Sequence, residues 1–296
     1  MKRTTGKIVF DTINYIILTC FCLVIIIPFM HIISISVSEG QAVNANIVGI
    51  FPVGFSLYAY REVLFDGIFG RALFNTVFIV CVSTFLGVLL NLSAGYVFTK
   101  KFYGRDVIAY LYVFTMFFSG GLIPFYLLIT KYLHWFNTYY SLIIPGLTSF
   151  FYIIILRSQI QAIPAELTEA AIIDGASEFQ VLYKIIIPAI SPTIAAVSMF
   201  IALAKWNSWF DVMIFTNTRS LWTLQYYLRA MVIEKAMDMR GYAHARGSVD
   251  VLEAAKTSSK NYEMAAIVLV SLPIISVYPF VQKYFVKGIL VGAVKG

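Results

Sequence analysis

The stretch EAAIIDGASEFQVLYKIIIP, residues 169–188, is acidic and punctuated by Ala and Gly in a chain that is otherwise strongly apolar. It carries Glu169, Asp174, Glu178 and Lys184. In the whole chain only 12% of the residues are charged and 60% are hydrophobic. A polar segment between long apolar runs is typical of a loop at a membrane surface.

Six uncharged or nearly uncharged runs are long enough to cross a bilayer. The mean hydropathy of +0.82 lies outside the range of soluble domains. A helix rises about 1.5 Å per residue, so roughly 20 apolar residues span the hydrocarbon core. We number these runs as spans one to six, and they cover residues 13–37, 72–98, 107–130, 136–156, 191–216 and 264–282. The sequence therefore predicts an all-α integral membrane protein with six transmembrane helices in a single domain, residues 1–296.

The distribution of Lys and Arg predicts that both termini are cytoplasmic. Basic residues cluster before span one, between spans two and three, and after span six, at Lys2, Arg3, Lys7, Lys100, Lys101, Arg105, Lys283, Lys287 and Lys295. The short opposite loops hold only Arg61, Arg71 and Lys131. By the positive-inside rule the segment 161–190 is then cytoplasmic and the large loop 217–262 is extracytoplasmic. Loop 217–262 is itself basic, but charges far from the span ends contribute little.

Composition and motifs exclude several other functions. The net charge of +7 lies largely at membrane edges, which argues against a nucleic-acid-binding role. Cys20, Cys22 and Cys81 lie inside apolar spans without the spacing of a zinc site. There is no phosphate-binding G-x-x-x-x-G-K-[ST] loop and no His-based catalytic or metal motif. We therefore expect a chain that is not an enzyme and holds no cofactor or metal.

Local signals in and before the opening stretch predict two short helices separated by a turn. Pro164 suits the first turn of a helix, and Gly175 suits its left-handed end. Ser177 followed by Gln180 forms a capping box for a second helix, which Pro188 is expected to close. These residues alone are equally consistent with an ordinary amphipathic helix pair at the membrane surface and with a docking surface. Small side chains near Ala170 favour the docking surface, since they allow another protein to approach closely.

The spacing of this stretch resembles the EAA loop in the permease subunits of bacterial ABC importers. That loop has E-A-A, three residues, G, nine residues and I-x-L-P, and the matching residues are Glu169, Ala170, Ala171, Gly175, Ile185 and Pro188. Ile187 replaces the Leu of the pattern. Two further segments, FFSGGLIPFYLL (117–128) and KWNSWFDVMIF (205–215), resemble the sugar-importer permeases, in particular the branch for alginate- or rhamnogalacturonan-like oligosaccharides.

The resemblance implies a type I ABC-importer permease fold and a set of partners. A second, homologous permease subunit would complete the translocation path as a heterodimer. Two ATPase subunits would bind ATP and Mg, an extracytoplasmic protein would deliver the oligosaccharide, and the complex would lie in the bacterial cytoplasmic (inner) membrane. The EAA loop, with Asp174 beside the motif residues, would be the coupling helix that docks on the ATPase.

Ionisable and aromatic residues in span five are candidates for the translocation path. Lys205, Asn207, Trp209 and Asp211 are unusual at membrane depth, where charged groups are costly and face a bundle interior or a water-filled cavity. On one continuous helix, Lys205 and Asp211 could not pair with each other. Lys205 could therefore line the path and attract an acidic sugar, or it could form a structural ion pair elsewhere.

Other transport functions remain as alternatives. The runner-up is a permease for a peptide or an amino acid. A channel or scaffold without an ATPase and a proton- or sodium-coupled carrier are further possibilities, although the coupling-loop spacing argues against both. The sequence specifies neither the sugar and its charge nor the partner chains of this protein.

Overall fold

The computed structural model describes residues 5–231, 233 and 258–293, and every regular element among them is helical. Most of the predicted extracytoplasmic loop 217–262 lies outside the described residues. The described chain divides into two units, one of residues up to 70 with 228–231, 233 and 258–273, and one of residues 71–227 with 274–293. The prediction of a single domain stays a prediction.

The first unit begins with α1 (Thr5–Ser36), which contains Pro28. It also contains α2 (Gly40–Asn44), α3 (Tyr58–Phe65) and the start of the final helix, Ser259–Ala293. Its small core joins Ile35 to Ala42, Val43 and Val48. The Asn261 amide donates hydrogen bonds of 2.8 Å to two carbonyls at the end of α1, those of Ile35 and Ser38.

The second unit is built on α4 (Gly67–Val97), a helix of 31 residues that matches predicted span two. It is followed by α5 (Arg105–Phe117), α6 (Leu122–Leu127) with the π-helical turn Leu128–Tyr132, α7 (Tyr139–Ile143), α8 (Phe150–Gln161), α9 (Ala165–Ile173), α10 (Glu178–Val181) with the π-helical turn Leu182–Ile186, α11 (Ile187–Ala189), α12 (Ser191–Trp206), α13 (Phe210–Phe215) and the 3₁₀ turn Arg219–Leu221. Residues 224–231 are helical.

Three of the six predicted spans are not single continuous helices, and for span five this overturns the assumption that residues 205–211 lie on one helix. α5 and the helix that follows it are bent by 112° at residues 118–121. Predicted span four is divided into α7 and α8. Predicted span five ends at Trp206 and resumes at Phe210.

Two of the three breaks coincide with a glycine in a left-handed conformation. Gly121 (φ +86°) and Gly146 (φ +75°) adopt left-handed conformations that glycine reaches without strain. Long apolar runs indicate burial in lipid, but they do not show whether the helix inside them is continuous. By length and composition three described helices could cross a membrane, or up to five if each bent pair counts as one span.

The main core of the second unit joins α4, α8, α10 and α12. Its buried side chains are Leu92, Tyr96, Leu156, Ile160, Val181, Ile186, Ile190, Val197 and Ile201. Close approach of the helices depends on glycine at two positions in α4. A Cβ atom on Gly95 would lie 3.3 Å from the Arg157 amide nitrogen, and one on Gly87 would lie 3.1 Å from Ile201. The segment 161–190 is thereby joined to spans two, four and five.

Candidate functional site

The first helix of the segment 161–190 ends as the sequence predicts. Gly175 has φ +85°. The Ala176 amide donates to the Ala171 carbonyl at 2.9 Å, and the Gly175 amide donates to the Ile172 carbonyl at 3.0 Å. These two bonds form a Schellman motif, which satisfies carbonyls that a helix end would otherwise leave unpaired. Pro164 lies just before the first helical residue, Ala165.

The predicted capping box at the start of the second helix is also confirmed. The Ser177 amide donates to the Gln180 side chain at 2.8 Å, and the Gln180 amide donates to the Ser177 hydroxyl at 3.3 Å. Pro188 lies one residue before the end of this helix, where the chain turns into span five as predicted. Helical structure continues to Ala189, and the chain bends by 85° at the junction with α12. The π-helical turn Leu182–Ile186 precedes the proline and gives room for a ring that lacks an N–H.

Helix α9 presents its side chains to the outside of the unit. It contains no buried residue, and Glu169, Ala170, Asp174 and Gly175 are exposed, whereas Ala171 packs partly against the core. A Cβ atom on Gly175 would meet nothing within 4 Å. Exposed apolar side chains surround these small residues, and they are Leu167, Ile172, Ile173, Phe179 and Tyr183. Such a surface, apolar with acidic and small residues between, is suited to contact with another protein.

Glu178, at the start of α10, is held by two side chains from the end of α4. It accepts a hydrogen bond from the Tyr96 hydroxyl. It also forms an ion pair with Lys100, whose ammonium lies 2.9 Å from one carboxylate oxygen and 4.9 Å from the Tyr96 ring centre. The hydrogen bonds from Tyr96 and then from Lys100 hold the pKa of the Glu178 carboxyl below its ordinary value. We call these three side chains the Tyr96–Lys100–Glu178 cluster.

The break in span five brings three of the four candidate path residues together. Asn207 and Trp209 lie in the loop between α12 and α13, and Asp211 lies in the first turn of α13. Asp211 accepts a hydrogen bond of 2.9 Å from the Ser208 hydroxyl, and Trp209 packs edge-on against Phe210. These residues therefore do not lie on one continuous helix with Lys205. The loop places two polar side chains beside an indole ring.

The fourth candidate, Lys205, donates to backbone carbonyls and lies close enough to Asp211 for an electrostatic attraction between the two side chains. Its ammonium donates to the carbonyls of Leu142 at 2.7 Å and Pro145 at 2.9 Å, with a longer contact of 3.4 Å to Ile143. These carbonyls lie at the end of α7, where no following helical turn can satisfy them. Within the described residues the Lys205 ammonium forms no ion pair at salt-bridge distance. Its three donors cap a broken helix.

Comparison with known proteins gives a consistent assignment. The chain is 35% identical to the polygalacturonan/rhamnogalacturonan transport system permease protein of Bacillus subtilis (strain 168), over 97% of this chain and 98% of that protein. It is also 35% identical to protein LplC of Bacillus subtilis (strain 168), over 100% and 98% of the two chains. A crystal structure of a bacterial ABC transporter involved in import of the acidic polysaccharide alginate contains a similar chain, with TM-score 0.84, 29% identity and coverage of 96% and 99%.

The chain belongs to the permease subunits of sugar ABC transporters.

A further comparison shows the same fold. A second chain, from a bacterial alginate ABC transporter in complex with an alginate pentasaccharide-bound periplasmic protein, shares the fold with TM-score 0.59 at 15% identity, over 95% and 96% of the two chains. No family model matches the sequence. Membership makes the chain a membrane protein with the ABC-permease fold and a non-catalytic part of a transporter. It removes the channel, the scaffold and the ion-coupled carrier as alternatives.

Two features of this permease escaped the sequence analysis because each depends on residues far apart in the chain. One is the Tyr96–Lys100–Glu178 cluster. The other is Asn91, a fully buried residue of α4 whose amide donates to the Leu147 carbonyl at 2.7 Å and accepts from the Ser149 amide at 2.9 Å. Asn91 and Lys205 together satisfy the backbone on both sides of the break in span four. An Asn in the middle of an apolar run is the one signal that could have indicated it.

Proposed function

We propose that this permease is one transmembrane subunit of a binding-protein-dependent importer of oligosaccharides. It would form half of the translocation path and couple that path to ATP hydrolysis through the segment 161–190. The exposed surface of α9 and α10 carries the proposal, since the EAA residues surround an open, apolar and partly acidic face. The second half of the segment 161–190 packs into the core formed with spans two, four and five, so a force on the exposed surface reaches these spans through rigid contacts.

The proposed complex contains a second permease subunit as a heterodimer, two ATP-binding cassette subunits that hold ATP and Mg, and an extracytoplasmic binding protein. The segment 161–190 and both termini would lie in the cytoplasm of a bacterial cell, and loop 217–262 would face outside. Basic residues on the assigned cytoplasmic side support this orientation. Glu169, Ala170, Ala171, Asp174 and Gly175 would contact the ATPase, with Pro188 at the base of the loop.

The substrate class proposed is an acidic oligosaccharide. The relatives with 35% and 29% identity that name a substrate belong to transport systems for polygalacturonan/rhamnogalacturonan and for alginate. Within the path, Asn207 and Asp211 would offer hydrogen bonds to sugar hydroxyls and Trp209 a ring for stacking. Lys205 would act chiefly by fixing the broken span beside them.

Binding of the ATPase subunits to the coupling surface provides the test. Ile173 has 85% of its side chain exposed on α9, and Tyr103 is fully exposed in the loop between α4 and α5. Docking would bury Ile173, so Ile173→Glu should lose an apolar contact worth about 1.5–3 kcal/mol, roughly 10- to 150-fold in affinity. Tyr103→Glu is the matched control, because it adds the same charge to an exposed site on the same proposed side.

The measurement is the affinity of purified ATPase subunits for the permease heterodimer in nanodiscs. We expect Ile173→Glu to weaken binding at least tenfold and Tyr103→Glu to leave it unchanged. Equal binding by both variants would refute the assignment of α9 as the coupling surface. The choice of sugar is tested separately, by uptake of galacturonate and neutral oligosaccharides into proteoliposomes that contain the binding protein.

A further inference from the structure

The two halves of the segment 161–190 differ in how they contact the rest of the unit. Helix α9 has no buried residue. In the second half, Val181 and Ile186 are almost completely buried against side chains of α4, α8 and α12. Because interiors are close-packed, this second half cannot separate from the spans that it touches without losing these contacts. The first half remains free to contact a partner.

At the edge of this core, the Tyr96–Lys100–Glu178 cluster joins the first turn of α10 to the end of span two. Glu178 and Lys100 are 78 positions apart, whereas the other ion pair found among the described residues joins the neighbours Arg105 and Asp106. Tyr96 is buried, with 8% of its surface exposed, while its hydroxyl reaches Glu178. The cluster therefore links a core residue of span two directly to the proposed coupling loop.

This link adds directional constraint to the apolar contacts. Hydrophobic contacts resist separation but are non-directional, so α10 could still rotate or slide on α4. A carboxylate that accepts from a phenol and from an ammonium is fixed in direction by both bonds. Ion pairs with exposed partners contribute little to folding stability. The cluster is thus suited to orienting α10 and unsuited to holding the fold together.

We propose that Tyr96 and Lys100 are positioning residues that act through Glu178, so that span two turns together with the coupling loop when the ATPase subunits close. This inference rests on the proposed function, since it requires that the segment 161–190 docks on an ATPase. It adds a specific route, from α10 to the end of α4, by which movement of the loop reaches the translocation path.

A fluorophore on Cys81 can report movement of span two. Cys81 is exposed on α4, 15 positions before Tyr96, and the other two cysteines, Cys20 and Cys22, lie in α1 and can be replaced by Ser. The heterodimer is assembled in nanodiscs with ATPase subunits that bind ATP but do not hydrolyse it. The change in Cys81 fluorescence on addition of ATP is then measured, together with the amount of ATPase that copurifies.

The variants separate positioning from general disruption. Lys100→Met and Tyr96→Phe remove one bond each, and the pair Lys100→Glu with Glu178→Lys reverses the charges. Lys101→Met removes an exposed neighbouring cation and is the matched control. We expect the ATP-dependent change to fall about threefold or more in Lys100→Met and Tyr96→Phe, in line with measured couplings between sites. The charge-reversed pair should restore most of the ATP-dependent change in Cys81 fluorescence that is seen with Lys100 and Glu178 in place. Lys101→Met should respond as the unmodified protein does. The amount of ATPase that copurifies should be unaltered in every variant.

Three results would overturn the inference. The first is an ATP-dependent change in Cys81 fluorescence that is equal in Lys100→Met and in the unmodified protein. This includes the case in which neither protein shows a change. Another is a loss that the charge-reversed pair does not restore. The third is a loss of ATPase copurification in Lys100→Met, because the cluster would then shape the docking surface and not relay its movement. If the ATPase fails to copurify with the unmodified permease, it is the proposed function that fails.

Discussion

Replacing Lys205 by Met tests whether this cation supports the fold or selects acidic cargo. The ammonium donates two short hydrogen bonds, 2.7 Å to Leu142 and 2.9 Å to Pro145. Hydrogen bonds to a charged group contribute about 1.5–3 kcal/mol each, so their loss costs roughly 3–6 kcal/mol. These values already include the cost of removing the groups from water. The destabilisation expected is therefore roughly 3–6 kcal/mol, since the carbonyls at the end of α7 are left unpaired.

A broken helix affects the path regardless of the charge of the sugar. Lys205→Met should lower the yield of folded heterodimer and reduce uptake of acidic and neutral oligosaccharides in equal proportion. Lys205→Gln distinguishes the two roles, because its amide keeps two donors and carries no charge. If helix capping is the role of Lys205, Gln should recover a large part of the yield and of both uptake activities. Lys205→Arg, which keeps both donors and charge, is the positive control.

The assay is uptake of a radiolabelled galacturonate oligosaccharide and of a neutral oligosaccharide of the same length, into proteoliposomes with the binding protein. Thermal denaturation of the purified heterodimer is measured alongside. A loss of acidic uptake alone in both Met and Gln variants, with denaturation unchanged, would refute the capping role. It would instead support the attraction of anionic cargo that the sequence suggested.

Four further predictions concern the loop, its orientation and the breaks. Gly175→Asn should fold normally, because Asn tolerates a left-handed conformation, yet it should lose substrate-stimulated ATPase activity, since its side chain projects into the docking face; full stimulation would contradict close docking there. In a cysteine-free background, a cysteine at Ser177 should react with an impermeant reagent only after the membrane is opened. A cysteine at Ser248, which lies outside the described residues, should react in intact cells, and the reverse pattern would overturn the orientation. Because hydrogen bonds from Tyr96 and Lys100 lower the folded pKa of Glu178, the contribution of its ionised form is present above the ordinary value of about 4.3 and is lost only as pH falls through the lower folded value. Infrared difference spectra against Glu178→Gln should show a mainly ionised carboxylate at about pH 4, where an unshifted carboxyl is mostly protonated, and a mainly protonated band there would contradict the cluster. Asn91→Leu should lower the heterodimer yield more than Asn207→Leu, since Asn91 is fully buried and bonds two backbone groups inside the break in span four whereas Asn207 is exposed; equal yields would show that the break needs no support from Asn91.

The sequence by itself determined the protein class and the local form of the coupling loop. Apolar runs of membrane length indicate a helical membrane protein because hydrocarbon requires every backbone group to be paired within the chain. The left-handed Gly175 and the Ser177–Gln180 box could be read directly, since each depends on residues within a few positions. The EAA spacing was informative for the same reason, because the motif lies within one continuous segment.

Only the tertiary structure decided where the spans break and what supports the breaks. The sequence shows that Lys205 is a charged residue within an apolar span but not which groups bind its ammonium. The structure shows that these groups are backbone carbonyls about 60 positions away. The partner of Glu178 lies 78 positions away, on span two. Contacts at such separations depend on how helices pack against one another, and packing depends on side-chain shape across several spans at once, which no local pattern in the sequence contains.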